Sequence, residues 1–284
     1  MMLRGIPFPA SVLSTVPPQH MWGLETSILL PAFSNVSICG KSPFYPLEIK
    51  EALEELPAPR VLVSTPVHLR ALLDSGLEWV AIERILCATA PLTVQLAGEL
   101  EEALHTAVLE VFGCSESGIL ASRPITRQEQ WDLADIFELD IIDGQARITG
   151  EHLPDAVYLQ DVIQKLSTHE FRWLGRHQDM VNIAGKRASL ADINRRLLDI
   201  EGVQDGVVFF PGEADSRLAA MVVAPGFTAR RILDALRLQL DAVFLPRPLL
   251  MVERLPRAES GKLPKSALLE LFAKSHRKRN DRCS

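Results

Sequence analysis

Between Pro57 and Gly113 short apolar runs alternate with helical stretches, and no other feature limits so tightly what this chain can fold into. Val61-Leu62-Val63-Ser64, Ile85-Leu86-Cys87-Ala88 and Val108-Leu109-Glu110-Val111-Phe112 are apolar runs of strand length. Helical spacing fills the gaps, over Pro66 to Leu73, where a proline opens the first turn, and over Thr93 to Leu104. Strands alternating with helices imply a parallel sheet. The third run ends on Val111-Phe112-Gly113-Cys114-Ser115-Glu116-Ser117-Gly118, so that stretch is delivered to the C-terminal end of the strands, where open parallel sheets bind their ligands.

Upstream, Val12 to Val16 is a short buried strand that passes through Pro17-Pro18 into a helix over Leu24 to Phe33, and Pro46 to Glu55 has helical spacing closed by Pro57. Gly40-Lys41-Ser42 invites a phosphate-loop assignment, but the first glycine of such a loop would fall on Asn35, and the spacing fails. Downstream, Ile136 to Ile142 and Ala146 to Thr149 are strands joined by the hairpin signal Asp143-Gly144. After the strand Phe171 to Arg176 the pattern changes. A helix at Leu190 to Asp199, strands at Val203 to Phe210 and Arg217 to Val223, a helix at Thr228 to Leu240 and a strand at Leu249 to Val252 make a compact α+β module. The fold class is therefore α/β, a partial parallel-sheet large domain over residues 1–175 followed by a small α+β C-terminal domain over 176–284. At 284 residues and 47% hydrophobic, the chain has material for both cores.

A net charge of −6 with both signs interleaved gives no sign of a nucleic-acid surface, and the basic His276-Arg277-Lys278-Arg279 reads as a solvated end. Cys39, Cys87, Cys114 and Cys283 are too dispersed for a metal site or a disulfide framework, which points to a reducing cytoplasm. Pro7 and Pro9 interrupt any signal-peptide core, and no apolar run approaches the roughly 20 residues of a spanning helix.

Near the C-terminus, Ser260-Gly261 is a turn that projects Lys262, followed by Leu263 and a helix-forming run from Ser266 to Lys274. A lysine held this way is a mobile point charge, suited to neutralising a carboxylate and a phosphate while one attacks the other. Read alone, it is equally a surface lysine before a terminal helix.

That turn, the Phe112–Gly118 stretch and Trp173-Leu174-Gly175-Arg176-His177-Gln178-Asp179-Met180-Val181-Asn182-Ile183-Ala184-Gly185-Lys186-Arg187 occur in the order and spacing seen in one family. Together they make the chain, from about Ser14 to about Leu269, resemble the adenylate-forming enzymes: acyl- and aryl-CoA synthetases, peptide-synthetase adenylation domains and luciferases. The resemblance implies ATP-dependent activation of a small carboxylic acid to an acyl-adenylate, then a thioester on CoA or carrier-protein phosphopantetheine. It implies that Phe112 lies against adenine with Gly113 giving backbone approach, that Ser115 meets phosphate and that Glu116 coordinates Mg2+. Asp161 would accept the ribose hydroxyls, although Gln160 stands where the family has glycine, and Arg176 would reach ribose and phosphate. His20, Trp22 and Ala90 would line the acid pocket. Trp22 with the small Ala88 and Ala90 favours an aromatic or fatty acid over an amino acid. Gln178 falls on the hinge position, usually Asp or Lys, Gly185 on the thiol's approach, and Lys262 on the catalytic lysine.

The family's Ser/Thr/Gly-rich phosphate loop has no counterpart in residues 1 to 19. The expectation is then a downstream half whose sheet edge seeks a partner, through self-association, an upstream half-protein or an acyl carrier protein. Three functions stay open: a split or shortened synthetase, a catalytically impaired remnant that binds nucleotide or protein, and an interaction module.

Overall fold

The computed structural model describes residues 6–176, 179–212, 217–257 and 263–281. The chain forms two compact units, Met1–Trp173 and Leu174–Ser284.

In the first unit β1 (Ala10–Ser14) leads to α1 (Met21–Leu24), a π-helical turn (Glu25–Leu29) and α2 (Leu30–Phe33). Then come β2 (Val36–Ile38), α3 (Pro46–Glu55), β3 (Arg60–Ser64), α4 (Pro66–Asp74), β4 (Arg84–Cys87), α5 (Val94–Leu104), β5 (Ala107–Cys114) and β6 (Gly118–Arg123). The remaining strands are β7 (Trp131–Leu133), β8 (Glu138–Ile142), β9 (Gln145–Thr149), β10 (Val157–Tyr158), β11 (Asp161–Lys165) and β12 (Glu170–Arg176), the last running past Trp173, where the first unit ends. Among the described residues the main sheet runs β11-β12-β7-β6-β5-β4-β3-β1-β2, and β8 to β10 form a side sheet. Strands β2, β1, β3, β4 and β5 are mutually parallel, whereas β6 and β7 return antiparallel.

Both faces of the parallel half are buried, which explains its continuous apolar runs. Leu13, Leu62, Ile85 and Val108 pack under Ile49 and Leu53 of α3, Leu69 and Leu72 of α4, and Leu96 and Leu100 of α5. Their strand neighbours Val12, Val61, Val63, Leu86 and Val111 face the other way, against Trp22 and Val36. The helices start where side chains satisfy their first amides: Thr65 accepts from His68 N–H ahead of Pro66, and Thr93 from Leu96 N–H.

Local features depart from the sequence expectation in several places, among them these. The first helix starts at Met21 rather than Leu24, because the His20 Nδ1 accepts the Trp22 N–H and caps it. Strands β2 and β6 appear where none was expected; β2 is too short to show a period, and β6 opens on a glycine. The terminal helix runs on to Asp281 instead of stopping at Lys274.

The second unit holds the hairpin β13 (Met180–Ile183) and β14 (Lys186–Ser189), then α6 (Leu190–Leu198), β15 (Asp205–Phe209), β16 (Ala219–Val223), α7 (Ala229–Arg237), β17 (Leu249–Met251) and α8 (Lys265–Asp281). Helices α6 and α7 cover one face of the β15-β16-β17 sheet through Ile193, Leu197, Ile232 and Leu236. Helix α8 covers the other, with Leu268 and Phe272 against Phe209, Met221 and Leu250.

Candidate functional site

The site begins where β5 turns back into β6 at the C-terminal end of the parallel strands. The register of this pair shifts between Phe112 and Gly113, a bulge that re-aims the strand end. A Cβ on Gly113 would lie 2.3 Å from the Gly118 carbonyl oxygen, so only glycine fits. Gly118 has φ +71°, and a Cβ there would lie 2.3 Å from Glu25 Oε1. The atoms that these glycines admit are the turn's own backbone and the Glu25 carboxylate. Glu25, on the π-helical turn, accepts the Ile119 N–H at 3.0 Å and locks that helix to the turn. Burial pushes its carboxyl up from the ordinary value, and the Ile119 hydrogen bond pulls the other way. Ser115 and Glu116 are left exposed at the tip. Behind them Cys114 Sγ meets Ser117 Oγ at 3.0 Å, and burial pushes the Cys114 thiol up.

Strand β4 lies beside β5, so the turn that follows it stands next to this tip. In that turn Thr89 has φ +78°, Ala90 is exposed and the Leu92 N–H donates to Glu110 Oε1 at 3.1 Å. The half-buried Phe112 ring packs against Trp131 and Phe171, with centroids 5.5 and 5.8 Å away. Asp161 is buried, and its Oδ1 accepts the Trp173 Nε1–H at 2.7 Å. His20 is exposed with Nδ1 committed to the helix cap. Trp22 is buried, packed with Val12, Val16, Ala88 and Val111, and among the described residues its Nε1 has no partner. The first unit thus gathers Phe112, Ser115, Glu116, Ala90, His20 and Trp22 at one end of its sheet. An open crevice of about 720 Å³ lies at the opposite, N-terminal ends of β3, β4 and β5, lined by Pro59, Trp79, Ile82 and His105. Parallel sheets of this kind use the other end.

In the second unit Arg176 is exposed and follows Gly175, which has φ +129° and where a Cβ would lie 1.9 Å from Ser189 Oγ, so no side chain is admitted. Gly185 sits at the β13–β14 turn with φ +79° after Ala184 at φ +50°, the left-handed pair a tight hairpin needs. The neighbouring Lys186 pairs with Asp241. Gln178 and Lys262 lie outside the described residues. The chain flanking 258–262 is anchored on both sides. Leu255 is buried and Leu263 packs in the same cluster, while Arg257 donates two hydrogen bonds to Asp205, at 2.8 and 2.7 Å.

Sequence reasoning gave Glu25, Glu110 and Arg123 no part in the site. Glu110 carried a usable signal, since it is the lone charge in an otherwise apolar strand run. Among the described residues no three or more His, Cys, Asp or Glu side chains cluster as a metal site.

No family model matches the sequence. A 4-coumarate–CoA ligase from Halorhodospira halophila is 27% identical over 260 residues, covering 89% of this chain and 65% of that protein. Among solved structures, apo MatB from Rhodopseudomonas palustris superposes with a TM-score of 0.75 at 20% identity, over 93% of this chain and 61% of that one. The anthranilate CoA ligase AuaEII, in complex with anthranoyl-AMP, gives 0.74 at 16% identity, over 95% and 60%. The chain spans less than two thirds of the length of each.

Proposed function

We propose, on the premise that this chain has the adenylate-forming fold and relatives among the AMP-dependent ligases, that it serves ATP-dependent activation of an acyl or aryl acid. The products are an acyl-adenylate and then a thioester on CoA or on carrier-protein phosphopantetheine. One observation carries this proposal: Ser115 and Glu116 stand exposed on a turn fixed by Gly113, Gly118 and Glu25, beside Phe112 and the turn after β4.

Phe112 would hold the adenine, its ring already supported by Trp131 and Phe171. Ser115 would donate to the phosphate. Glu116 fits Mg2+, because that ion takes one or two carboxylates and fills its remaining positions with water and phosphate oxygens. Bound there, the ion would neutralise phosphate charge. Arg176 would meet ribose and phosphate, His20, Trp22 and Ala90 the acid, and Gly185 the thiol. Gln178 is the proposed hinge. Lys262 would neutralise charge that gathers between carboxylate and α-phosphate only as the bond forms. The proposed partners are an acyl carrier protein, an upstream half-protein, or a second copy. The surface offered to them is the β2 edge, paired among the described residues with β1 alone, beside the 86% exposed Phe33. No helix among the described residues is long and apolar enough to cross a membrane; the proposed setting is the cytoplasm.

A second proposal, an impaired remnant that binds nucleotide, draws support from Asp161. Its Oδ1 is engaged by Trp173 Nε1–H, an oxygen the ribose would otherwise use.

Pyrophosphate release from ATP against aromatic, fatty and amino acids, with CoA or carrier protein present, tests the proposal. Release with aromatic or fatty acids is the expected result. A preference for amino acids contradicts the substrate class, and acid-independent behaviour across the panel contradicts the activity.

A further inference from the structure

Glu110 and Arg123 form a buried ion pair whose position is costly to explain by stability alone. Both are below a tenth exposed, and Glu110 Oε2 accepts Arg123 Nε–H at 2.8 Å and Nη2–H at 2.7 Å. Taking both charges out of water costs about as much as their attraction returns, so apolar residues of similar size would hold β5 to β6 as well. The pair instead reaches outward on both sides. Arg123 Nη1–H donates to the Glu129 carbonyl at 2.6 Å, and its guanidinium lies 4.3 Å over the Trp131 ring that supports Phe112. The other Glu110 oxygen takes the Leu92 N–H.

That last bond crosses to a strained turn. The Leu92 amide precedes the Thr93 cap of α5 and has no place in the helix ladder. Three residues earlier Thr89, a β-branched residue, is at φ +78°, a conformation such side chains rarely adopt. Strain of this kind persists only where the surroundings over-determine it. At one end of the turn Ala88 N–H donates to the Ser64 carbonyl at 3.4 Å; at the other stands the Glu110 carboxylate.

We propose that Glu110 is a positioning residue: held by Arg123, it pins Leu92 so that Thr89 stays left-handed and the exposed Thr89–Ala90 turn stands beside Phe112 in a nucleotide-ready form. This rests on the nucleotide site proposed above. It also adds to that proposal, by assigning affinity for the adenosine part to a buried carboxylate that touches no ligand.

The test is a double-mutant cycle of Glu110→Leu and Thr89→Gly in the full chain, read by AMP titration and by hydrogen exchange at the Leu92 amide. Glu110→Leu should speed Leu92 exchange and weaken AMP binding about tenfold, the range that strain of this kind converts to. Thr89→Gly makes the left-handed turn inexpensive, so it should restore most of that affinity in the Glu110→Leu background and shift it far less in the wild type. Glu110→Gln, which keeps an acceptor for Leu92, should retain most of the affinity, and it carries the same cycle with a smaller factor if the leucine variant does not fold. Unchanged Leu92 exchange overturns the inference, as does an equal effect of Thr89→Gly in both backgrounds. If the wild type gives no AMP heat, the nucleotide site itself falls, and Leu92 exchange alone then decides whether Glu110 pins the turn.

Discussion

The β5–β6 turn and the described residues that flank 258–262, which the proposed function gives to one reaction, are held in opposite ways. At the turn the contacts are buried or backbone: Gly113 against the Gly118 carbonyl, Glu25 on the Ile119 amide, Glu110 on Leu92. In the second unit the polar contacts next to the motif residues are wet. The Arg257–Asp205 side chains are 39% and 26% exposed, and those of Lys186–Asp241 are 56% and 39%. Buried polar contacts cost a great deal to break, whereas exposed ion pairs contribute about 0–1 kcal/mol. Under the proposed function, the difference suits a two-part task. Groups that hold a nucleotide through the whole reaction gain from being fixed in advance, and a group that acts at the transition state alone gains from contacts that exchange at little cost.

The largest expected effect breaks or makes this division. Lys262→Ala should lower adenylate formation by about 10²–10³, the usual cost of losing one transition-state donor, and leave thioester formation from preformed adenylate intact. Lys265→Ala, at the first residue of α8, should change little. Measuring both half-reactions for both variants checks it; equal loss in the two half-reactions, or at the two lysines, removes Lys262 from the mechanism.

Glycine substitutions come next and sharpen the contrast in stability. Gly113→Ala drives a Cβ into backbone and should cost about 3 kcal/mol in denaturant unfolding. Gly185→Ala meets nothing within 4 Å and has only its positive φ to answer for; about 1 kcal/mol is expected. Equal costs would mean that the two turns are held alike.

Glu25 gives a smaller, pH-dependent effect. Its carboxyl is raised from an ordinary value of 4.5 by burial, so the folded state binds the proton more tightly than the unfolded chain does. The stability it contributes is full below the unfolded value and is lost as pH rises through the folded one. Glu25→Gln keeps an oxygen for Ile119 and removes the slope. The melting temperature of the wild type relative to this variant should therefore fall as pH is raised from below 4.5. A difference that is flat, or that rises with pH, contradicts the assignment. Smallest of all, Arg257→Ala should cost about 0–1 kcal/mol; a loss as large as that of Gly113→Ala would end the contrast between the regions.

Much of this was legible in the sequence because it rests on periodicity and turn chemistry. The runs at 61–64 and 85–88 became β3 and β4 within a residue, and Asp143-Gly144 became the β8–β9 turn, at φ +52° and +79°. The His20 cap was not legible, since a histidine at a helix entry gives the same letters whether it caps or binds. What stayed hidden was long-range. Nothing local to Glu25 announces Ile119, and nothing local to Asp161 announces Trp173. Such partners are set by topology, which brings distant strand ends together and leaves no period behind.

The central claim is that nucleotide is held by the fixed turns of the first unit and that Lys262 contributes at the transition state alone. Calorimetric titration of AMP into the wild type and Lys262→Ala tests it most directly. The prediction is binding to both with indistinguishable dissociation constants, despite the collapse of adenylation in the variant. An absence of heat with the wild type, or an AMP affinity that falls in step with the lost rate, would contradict it.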